Sequence, residues 1–208
     1  MEPNLPRVFA VVAGLTCCVD WATAAGTVNQ GSELKPATAF ATIIDEGARS
    51  VALFNEAGKV ILNPRCMNCH PADRRPTQGD DLHAHVPPMQ AGVDGKGASA
   101  LPCKSCHGQS AQATHVHSIR SIPGNPRWGL APASMAWQGK SLREICEQIK
   151  DPKRNGGLSL GEIQHHMGTD DLVGSAWHPG AGRDPAPGTQ AQFGELIGAW
   201  IATGARCP

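Results

Sequence analysis

Two short motifs of the same form dominate the chemistry that this sequence can carry. Residues 66–70 read Cys-Met-Asn-Cys-His and residues 103–107 read Cys-Lys-Ser-Cys-His. Two thiols at this spacing can add across the two vinyl groups of one haem, and the histidine that follows is then placed to bind the iron. The sequence therefore predicts two covalently bound c-type haems. The predicted attachment residues are Cys66, Cys69, Cys103 and Cys106, and the predicted proximal iron ligands are His70 and His107.

Paired cysteines at this spacing also occur in two other kinds of site. Two Cys-x-x-Cys pairs about thirty residues apart suit a zinc ion bound by four thiolates, and a single pair can form a redox-active disulfide. A zinc ribbon does not require a histidine after both pairs, and no βαβ pattern typical of a thioredoxin-like unit surrounds them. The histidine after each pair therefore favours haem.

The distance between the motifs bears on how the two haems are arranged. About thirty residues separate His70 from Cys103, which is too few for a complete single-haem domain before the second motif begins. We therefore expect both haems to share one domain and to lie close together. Haems that lie close together exchange electrons readily, so the spacing predicts an electron relay.

Each iron needs a second axial ligand from the protein if the protein only transfers electrons, because an open position would bind peroxide or another small molecule. His85 is the first candidate, with His83 as its alternate, since two prolines follow His85 closely and can fix its position. His166 is the next, because it lies beside apolar positions of a predicted helix. Met135 is the third, in a proline-containing segment typical of methionine ligand loops. Further side chains that could serve are Met89, His115, His117, His165, Met167 and His178.

Each of these distal candidates has a structural alternative. His83 and His85 could lie on a solvated polar loop, and His166 could be a half-buried histidine without a ligand role. Met135 could fill the core beside a tryptophan. The choice matters, because histidine–histidine ligation gives a haem a lower reduction potential than histidine–methionine ligation.

Helices must position these motifs, and the sequence predicts four of them. Apolar residues recur at three- and four-residue steps over 37–57, which predicts a helix that ends at the glycine after it. Serine followed three residues later by glutamate, at 141–144 and at 159–162, forms a capping box that predicts the start of a helix. A last helix is predicted over 190–203, and an irregular loop over 71–102. The predicted fold class is mainly α: a loop-rich, helical cytochrome c-like domain wrapped around two covalently bound haems.

The first residues predict export. The apolar run 8–19 is too short to span a bilayer, and a small-x-small cleavage site follows at 22–24. Lipidation at Cys17 or Cys18 stays open, although the residues before them match a lipobox poorly. We therefore predict a periplasmic protein with no membrane span. Its predicted division is a cleaved signal peptide over 1–24, a flexible leader over 25–36 and a single di-haem domain over 37–208.

Charge and the remaining cysteines complete the prediction. The formal net charge is zero and the isoelectric point is near 7.1, so no basic surface for nucleic acid is visible. The expected partners are redox proteins, an electron donor and an electron acceptor. In an oxidising compartment Cys146 and Cys207 should form a disulfide, the alternative being two separate buried thiols.

Several segments resemble di-haem cytochromes of the isoquinoline 1-oxidoreductase subunit family. The resemblance covers nearly all of the chain after the signal and implies service as electron acceptor for a periplasmic molybdenum hydroxylase. The sequence has no molybdopterin or flavin motif, so any hydroxylation must belong to a partner. The segments are Asn-Pro-Arg-Cys-Met-Asn-Cys-His-Pro at 63–71, the second motif, Leu-Ala-Pro at 130–132 with Met135 and Trp137, Gly-Lys-Ser at 139–141, Asp-Pro at 151–152 with Asn-Gly-Gly at 155–157, and the tail 200–208.

The residues together predict an electron-transfer protein and not an enzyme, with no catalytic residues of its own. Two alternatives stay open: a small di-haem enzyme of the peroxidase type, and a haem-based ligand sensor, each with one open iron position. The chain is short for a di-haem peroxidase, and no output domain for a sensor is visible.

Overall fold

The computed structural model describes Met1, residues 33–116 and residues 119–208. The predicted signal peptide and most of the predicted leader lie outside the described residues, as does His117. The last residues of that leader do not fit the prediction of flexibility, because Leu34 is buried in the core and the Lys35 amide donates to Glu56 Oε1 at 2.9 Å. The folded part of the chain therefore includes residues that we assigned to the leader.

Regular structure in the described residues is partly helical, with short strand pairs and long loops. About 40% of these residues are helical, so the helical, loop-rich part of the prediction holds, whereas the strands were not predicted. The strand pairs β1–β2, β3–β4 and β5–β6 are antiparallel. The α-helices are α1 Glu46–Ile61, α2 Pro64–Met67, α3 Leu142–Lys150, α4 Leu160–Thr169, α5 Asp171–Gly174 and α6 Gln190–Ala202; the 3₁₀ helices are Ala37–Phe40, Cys103–Ser105, Ala133–Met135 and Ser175–Trp177; the strands are β1 Thr77–Gln78, β2 His83–Ala84, β3 Gly97–Ala98, β4 Leu101–Pro102, β5 Gln112–Val116 and β6 Ile119–Ile122.

Both predicted capping boxes are confirmed. Ser141 caps α3 and Ser159 caps α4, and in each case the serine hydroxyl accepts from the glutamate amide while the glutamate carboxylate accepts from the serine amide. Two otherwise unpaired N–H groups are satisfied in this way at each helix start. Thr189 and Gln192 make the same arrangement at α6.

The first helix differs from its prediction at both ends. Residues Ala37–Phe40 form a 3₁₀ turn, and α1 begins only after Asp45, whose side chain accepts from the Ala48 amide at 2.7 Å. The helix then continues past Gly58, which was expected to end it. A Cβ at Gly58 would lie 2.6 Å from Leu142 Cδ2, so this glycine serves close packing against the α3 region and not termination.

Helix α6 is the centre of the core, since it packs against both α1 and α4. The Phe54 and Trp200 rings lie 4.7 Å apart between α1 and α6. Glycines allow the backbones of α4 and α6 to approach closely, because a Cβ on Gly194 would lie 2.6 Å from the Gly168 Cα atom. This compact helical core holds the loops that carry both motifs.

The predicted disulfide between Cys146 and Cys207 is present, with the two Cα atoms 5.7 Å apart. It joins α3 to the chain end beyond α6. Hydrogen bonds fix the same end: the Trp200 indole donates to the Arg206 carbonyl, and the Arg206 amide donates to Ser50 Oγ, both at 2.9 Å.

Candidate functional site

The first motif begins in α2 and ends in a tight turn. Asn63 caps this helix by accepting from the Arg65 amide, and the proline at its first position suits a helix start. The amides of Cys69 and His70 both donate to the Cys66 carbonyl at 3.1 Å. The turn therefore keeps both thiols and the imidazole of the motif close together.

The His70 ring is held on two sides. Its Nδ1 lies 2.7 Å from the Met135 carbonyl, and its plane stacks on Trp137 with ring centroids 3.5 Å apart at an angle of 9°. A carbonyl oxygen can only accept, so Nδ1 must carry the proton and Nε2 is left with its lone pair. Metal-binding histidines commonly have this arrangement, because the second nitrogen is tied to a carbonyl or carboxylate.

The second motif repeats this arrangement with different residues. The His107 amide donates to the Cys103 carbonyl at 3.0 Å, at the end of the 3₁₀ turn Cys103–Ser105. Its Nδ1 donates to the Pro123 carbonyl at 2.7 Å, and its ring stacks on Trp128 with centroids 4.5 Å apart at 6°. His107 therefore also presents an unprotonated Nε2.

Sequence reasoning missed the tryptophans and the carbonyls that hold the two rings. The available signal was weak: both tryptophans lie in or directly after one proline-rich segment, residues 121–136, which follows the second motif. Neither feature specifies a ring contact without the three-dimensional arrangement. Trp128 and Trp137 thus join the candidate site from the structure.

A cavity of about 830 Å³ opens beside the second motif, a volume within the range of cofactor sites. His85 and His107 both line it, with ring centroids 5.9 Å apart. The His85 Nδ1 donates to the Pro87 carbonyl at 2.9 Å, so its Nε2 is available. His85 and His107 are therefore the residues that would hold a metal-containing group in this cavity.

His83, the alternate to His85, lines the same cavity, but both of its ring nitrogens are occupied. Its Nδ1 bonds to the Asp81 carboxylate, and its Nε2 lies 3.0 Å from the Gln78 amide nitrogen. Because that amide nitrogen can only donate, the Nε2 lone pair of His83 is in use. The structure therefore favours His85 over His83.

His166 is the predicted distal ligand that lies within electrostatic range of His70. Burial lowers the pKa of His70 to about 4, the hydrogen bond to the Met135 carbonyl opposes this shift, and positive charge on His166 adds to it. The His166 side chain is 46% exposed, and its Nδ1 lies 3.7 Å from Asp170 Oδ2. His166 stays the candidate distal ligand at the first motif.

Met135, which was predicted as a distal ligand, contacts His70 through its backbone carbonyl. Its carbonyl holds the Nδ1 side of His70, which is the side away from the metal-binding Nε2, and its side chain is buried in the apolar core. A ligand opposite His70 would have to approach from the Nε2 side. The structure therefore shows Met135 holding the His70 ring through its carbonyl, and its role as a distal ligand stays a prediction. Of the other candidates, Met89 lines the cavity, Met167 is buried in the core, His165 contacts Thr169, and His115 and His178 are exposed.

The two motifs lie side by side. Cys69 of the first motif lines the same cavity as Cys103 and Cys106 of the second motif. Arg74 joins the loops around them, because its guanidinium donates to the carbonyls of Gly92 and Ala131. The structure therefore brings the two motifs close together, and the close pair of haems stays a prediction.

The thiols of the first motif do not have the character of a redox-active dithiol. Burial, as the largest cause, raises the pKa of Cys66 to about 12 and that of Cys69 to about 11. Catalytic Cys-x-x-Cys motifs instead lower a thiol pKa to expose a thiolate. In the part of the chain that the structure describes, no three side chains of His, Cys, Asp or Glu converge to hold a metal ion. A haem iron takes four of its ligands from the porphyrin, so the haems predicted from the sequence would need no such cluster.

Two buried donors beside the motifs fit a group that carries carboxylates. The indole N–H of Trp137 and the Nε of Arg65 are buried without a hydrogen-bond partner in the described structure. Such groups are costly when left unpaired. The residues present therefore fit a haem, with four thiols for attachment, imidazole nitrogens for the iron and unpaired donors for its acidic groups.

Gln148 positions the loop that holds His70. It is 1% exposed on α3, and its amide nitrogen donates to the carbonyls of Ser134 and Ala136, at 3.1 and 3.2 Å, on either side of Met135. Replacing Gln148 by alanine leaves these carbonyls without a donor. We expect the free energy of unfolding to fall by about 1–3 kcal/mol in urea titrations. Glu147→Ala, an exposed position on the same helix, is the control, and an equal loss there would contradict this role of Gln148.

Comparison of the chain with protein-family models, with curated proteins and with solved structures gives no match. Among the residues that the structure describes, no helix is both long enough and apolar enough to span a membrane.

Proposed function

We propose that this chain is an exported, periplasmic di-haem c-type cytochrome that transfers electrons between proteins. In this proposal the helical, loop-rich domain is cytochrome c-like and encloses two haems, one attached at Cys66 and Cys69 and the other at Cys103 and Cys106. When bound, the haem irons supply one-electron redox chemistry. The chain itself supplies attachment, axial ligands and surroundings.

The observation that carries the proposal is the repeated environment of His70 and His107. Each ring follows a Cys-x-x-Cys pair, donates Nδ1–H to a backbone carbonyl at 2.7 Å and stacks on a tryptophan. Two different loops produce the same result, which fixes the ring orientation and leaves the Nε2 lone pair available for a metal ion. Histidines with only a structural role would not need matching ring contacts at both motifs.

At the second motif, the residues support a six-coordinate iron. The ring centroids of His85 and His107 lie 5.9 Å apart, and the Nδ1 of His85 donates to the Pro87 carbonyl. Two histidine ligands give a low potential and leave no position for peroxide or another small molecule. This arrangement supports electron transfer over catalysis at that site.

The partners in this proposal are a periplasmic electron donor and an electron acceptor. The family resemblance of the motif segments suggests a molybdenum hydroxylase as the donor. Because the sequence lacks molybdopterin and flavin motifs, the partner would carry out the substrate oxidation and the cytochrome would only remove electrons.

The test is production of the full chain in a bacterium with a c-type cytochrome maturation system. We expect two covalent haems per chain by pyridine haemochrome assay, low-spin spectra and two reversible one-electron transitions in a redox titration. The double variants Cys66→Ala/Cys69→Ala and Cys103→Ala/Cys106→Ala should each retain one haem. A purified chain that carries zinc or no covalent haem would refute the proposal.

A small di-haem enzyme with one open iron is the second candidate. The observation in its favour is that the His166 side chain is 46% exposed and that its Nδ1 lies 3.7 Å from Asp170 Oδ2, which is too far for a hydrogen bond of the kind that fixes the rings of His70, His85 and His107. High-spin signal and rapid cyanide binding at one haem of the wild-type protein would favour this enzyme, or a ligand sensor, over the electron carrier.

A further inference from the structure

The cavity beside the second motif contains a buried arginine with an unpaired donor. The Arg65 side chain is 7% exposed, and its Nη2 forms an ion pair with Asp80. Its Nε is buried and has no partner among the described residues. Arg65 lines the cavity together with Cys103, Cys106 and His107.

A second arginine, Arg183, lines the same cavity. Its guanidinium donates to Ser121 Oγ at 2.7 Å, to the Ser121 carbonyl at 2.5 Å and to the Pro179 carbonyl at 3.1 Å. These acceptors are neutral, so they fix the guanidinium without offsetting its charge. Burial lowers the pKa of Arg183, the charge on Arg65 lowers it further, and Asp80 opposes both. The two guanidinium groups thus share a single nearby carboxylate.

The charged side chains that line the cavity leave one positive charge in excess. The cavity is lined by three arginines, Arg65, Arg120 and Arg183, and by only two acidic residues, Asp80 and Asp81. Asp81 is engaged by His83, which leaves Asp80 as the acid available to the arginine pair. A partly buried charge without a partner is costly, and a bound acid would remove that cost.

We propose that Arg65 and Arg183 bind the carboxylate groups of the haem attached at Cys103 and Cys106. Arginine suits this role because its planar fork matches a carboxylate. The inference rests on the proposed function, since it requires a haem in this cavity. A further consequence is that the positive charges disfavour the oxidised, more positive iron and so raise the reduction potential of this haem.

The test uses potentiometric titration of the holoprotein with Arg183→Gln. We expect one of the two haems to become harder to reduce by about tenfold, which is 59 mV for a one-electron couple, while the other is unchanged. Arg183→Lys keeps the charge and should restore most of the difference. Resonance Raman bands of the haem carboxylates should shift in Arg183→Gln at the same haem.

The control is Arg75→Gln, which makes the same charge change at an exposed arginine that does not line the cavity, and it should leave both potentials unchanged. If Arg183→Gln does not retain the haem attached at Cys103 and Cys106, the variant Asp80→Asn takes its place in the test. It removes the carboxylate that opposes the arginines, at a half-exposed position, and should raise the potential of one haem.

Several outcomes would overturn the inference. Unchanged potentials and carboxylate bands in Arg183→Gln, with two haems still attached, would overturn it alone and leave the cytochrome proposal in place. If added acetate shifts the reduction potential of the wild type, the arginine pair binds a carboxylate from solution and not the haem carboxylates. A wild-type chain without covalent haem would overturn the inference and the proposed function together.

Discussion

In His85→Ala, one of the two haems is expected to become high-spin while the other stays low-spin. The reason is that the ring centroids of His85 and His107 lie 5.9 Å apart in the cavity of the second motif. Removal of the His85 imidazole would leave an iron there with one protein ligand. Optical and electron paramagnetic resonance spectra of the purified holoprotein measure this change. His85→Met should restore a low-spin haem at a higher potential, because methionine ligation raises the potential.

The matched control for this prediction is His83→Ala. His83 lines the same cavity two residues earlier, but its ring nitrogens are bonded to Asp81 and Gln78. We expect its removal to leave both haems low-spin. If His83→Ala produced the high-spin signal and His85→Ala did not, the assignment of ligands at the second motif would be reversed.

The same design applies to the first motif with His166 and its neighbour His165. His166 lies near enough to His70 to affect its pKa, whereas His165 is hydrogen-bonded to Thr169 on the same helix. His166→Ala should therefore change the spin state of the first haem, and His165→Ala should not. No change in either variant would mean that the first iron is ligated elsewhere or is open in the wild type.

Removal of the disulfide has the second large expected effect, on stability. Cys146 and Cys207 are 61 residues apart in sequence, and closing a loop of that length restricts the unfolded chain by about 4 kcal/mol. Cys146→Ala/Cys207→Ala should therefore lower the free energy of unfolding by about this amount. Urea titrations at neutral pH under oxidising conditions measure the difference between wild type and variant.

Reduction supplies the internal control for the disulfide prediction. In a reducing buffer the wild type loses the bond between α3 and the chain end, while thioether bonds to haem are unaffected by thiol reagents. The stabilities of wild type and variant should then converge. A wild type that is no more stable than the variant under oxidising conditions would contradict a stabilising role for the bond.

The core illustrates why sequence patterns predicted some elements and not others. Capping boxes at Ser141 and Ser159 depend on residues three positions apart, so they were predicted correctly. Gly58 lies inside α1, and Leu142 packs against it from a distant part of the sequence. A glycine that looks like a helix terminator can therefore lie in the helix interior when a neighbouring side chain requires the space.

The distal candidates illustrate the same limit at the site. His83 and His85 are two residues apart in a proline-rich loop, and no local pattern separates them. The structure separates them because the ring of His83 is bonded to its neighbours while that of His85 faces His107. Met135 was predicted as a ligand from its proline-containing segment, and only the structure shows that its carbonyl is bonded to His70 Nδ1.

The sequence by itself determined which thiols and imidazoles stand together, because the spacing within each Cys-x-x-Cys-His motif is set by a single turn of backbone. It also indicated the disulfide, since only two cysteines of the predicted mature chain lie outside the motifs. The tertiary structure alone decided how His70 and His107 are oriented, through carbonyls and tryptophans from distant loops, and which charges share the cavity. Those contacts depend on long-range packing around α6, which no local spacing encodes.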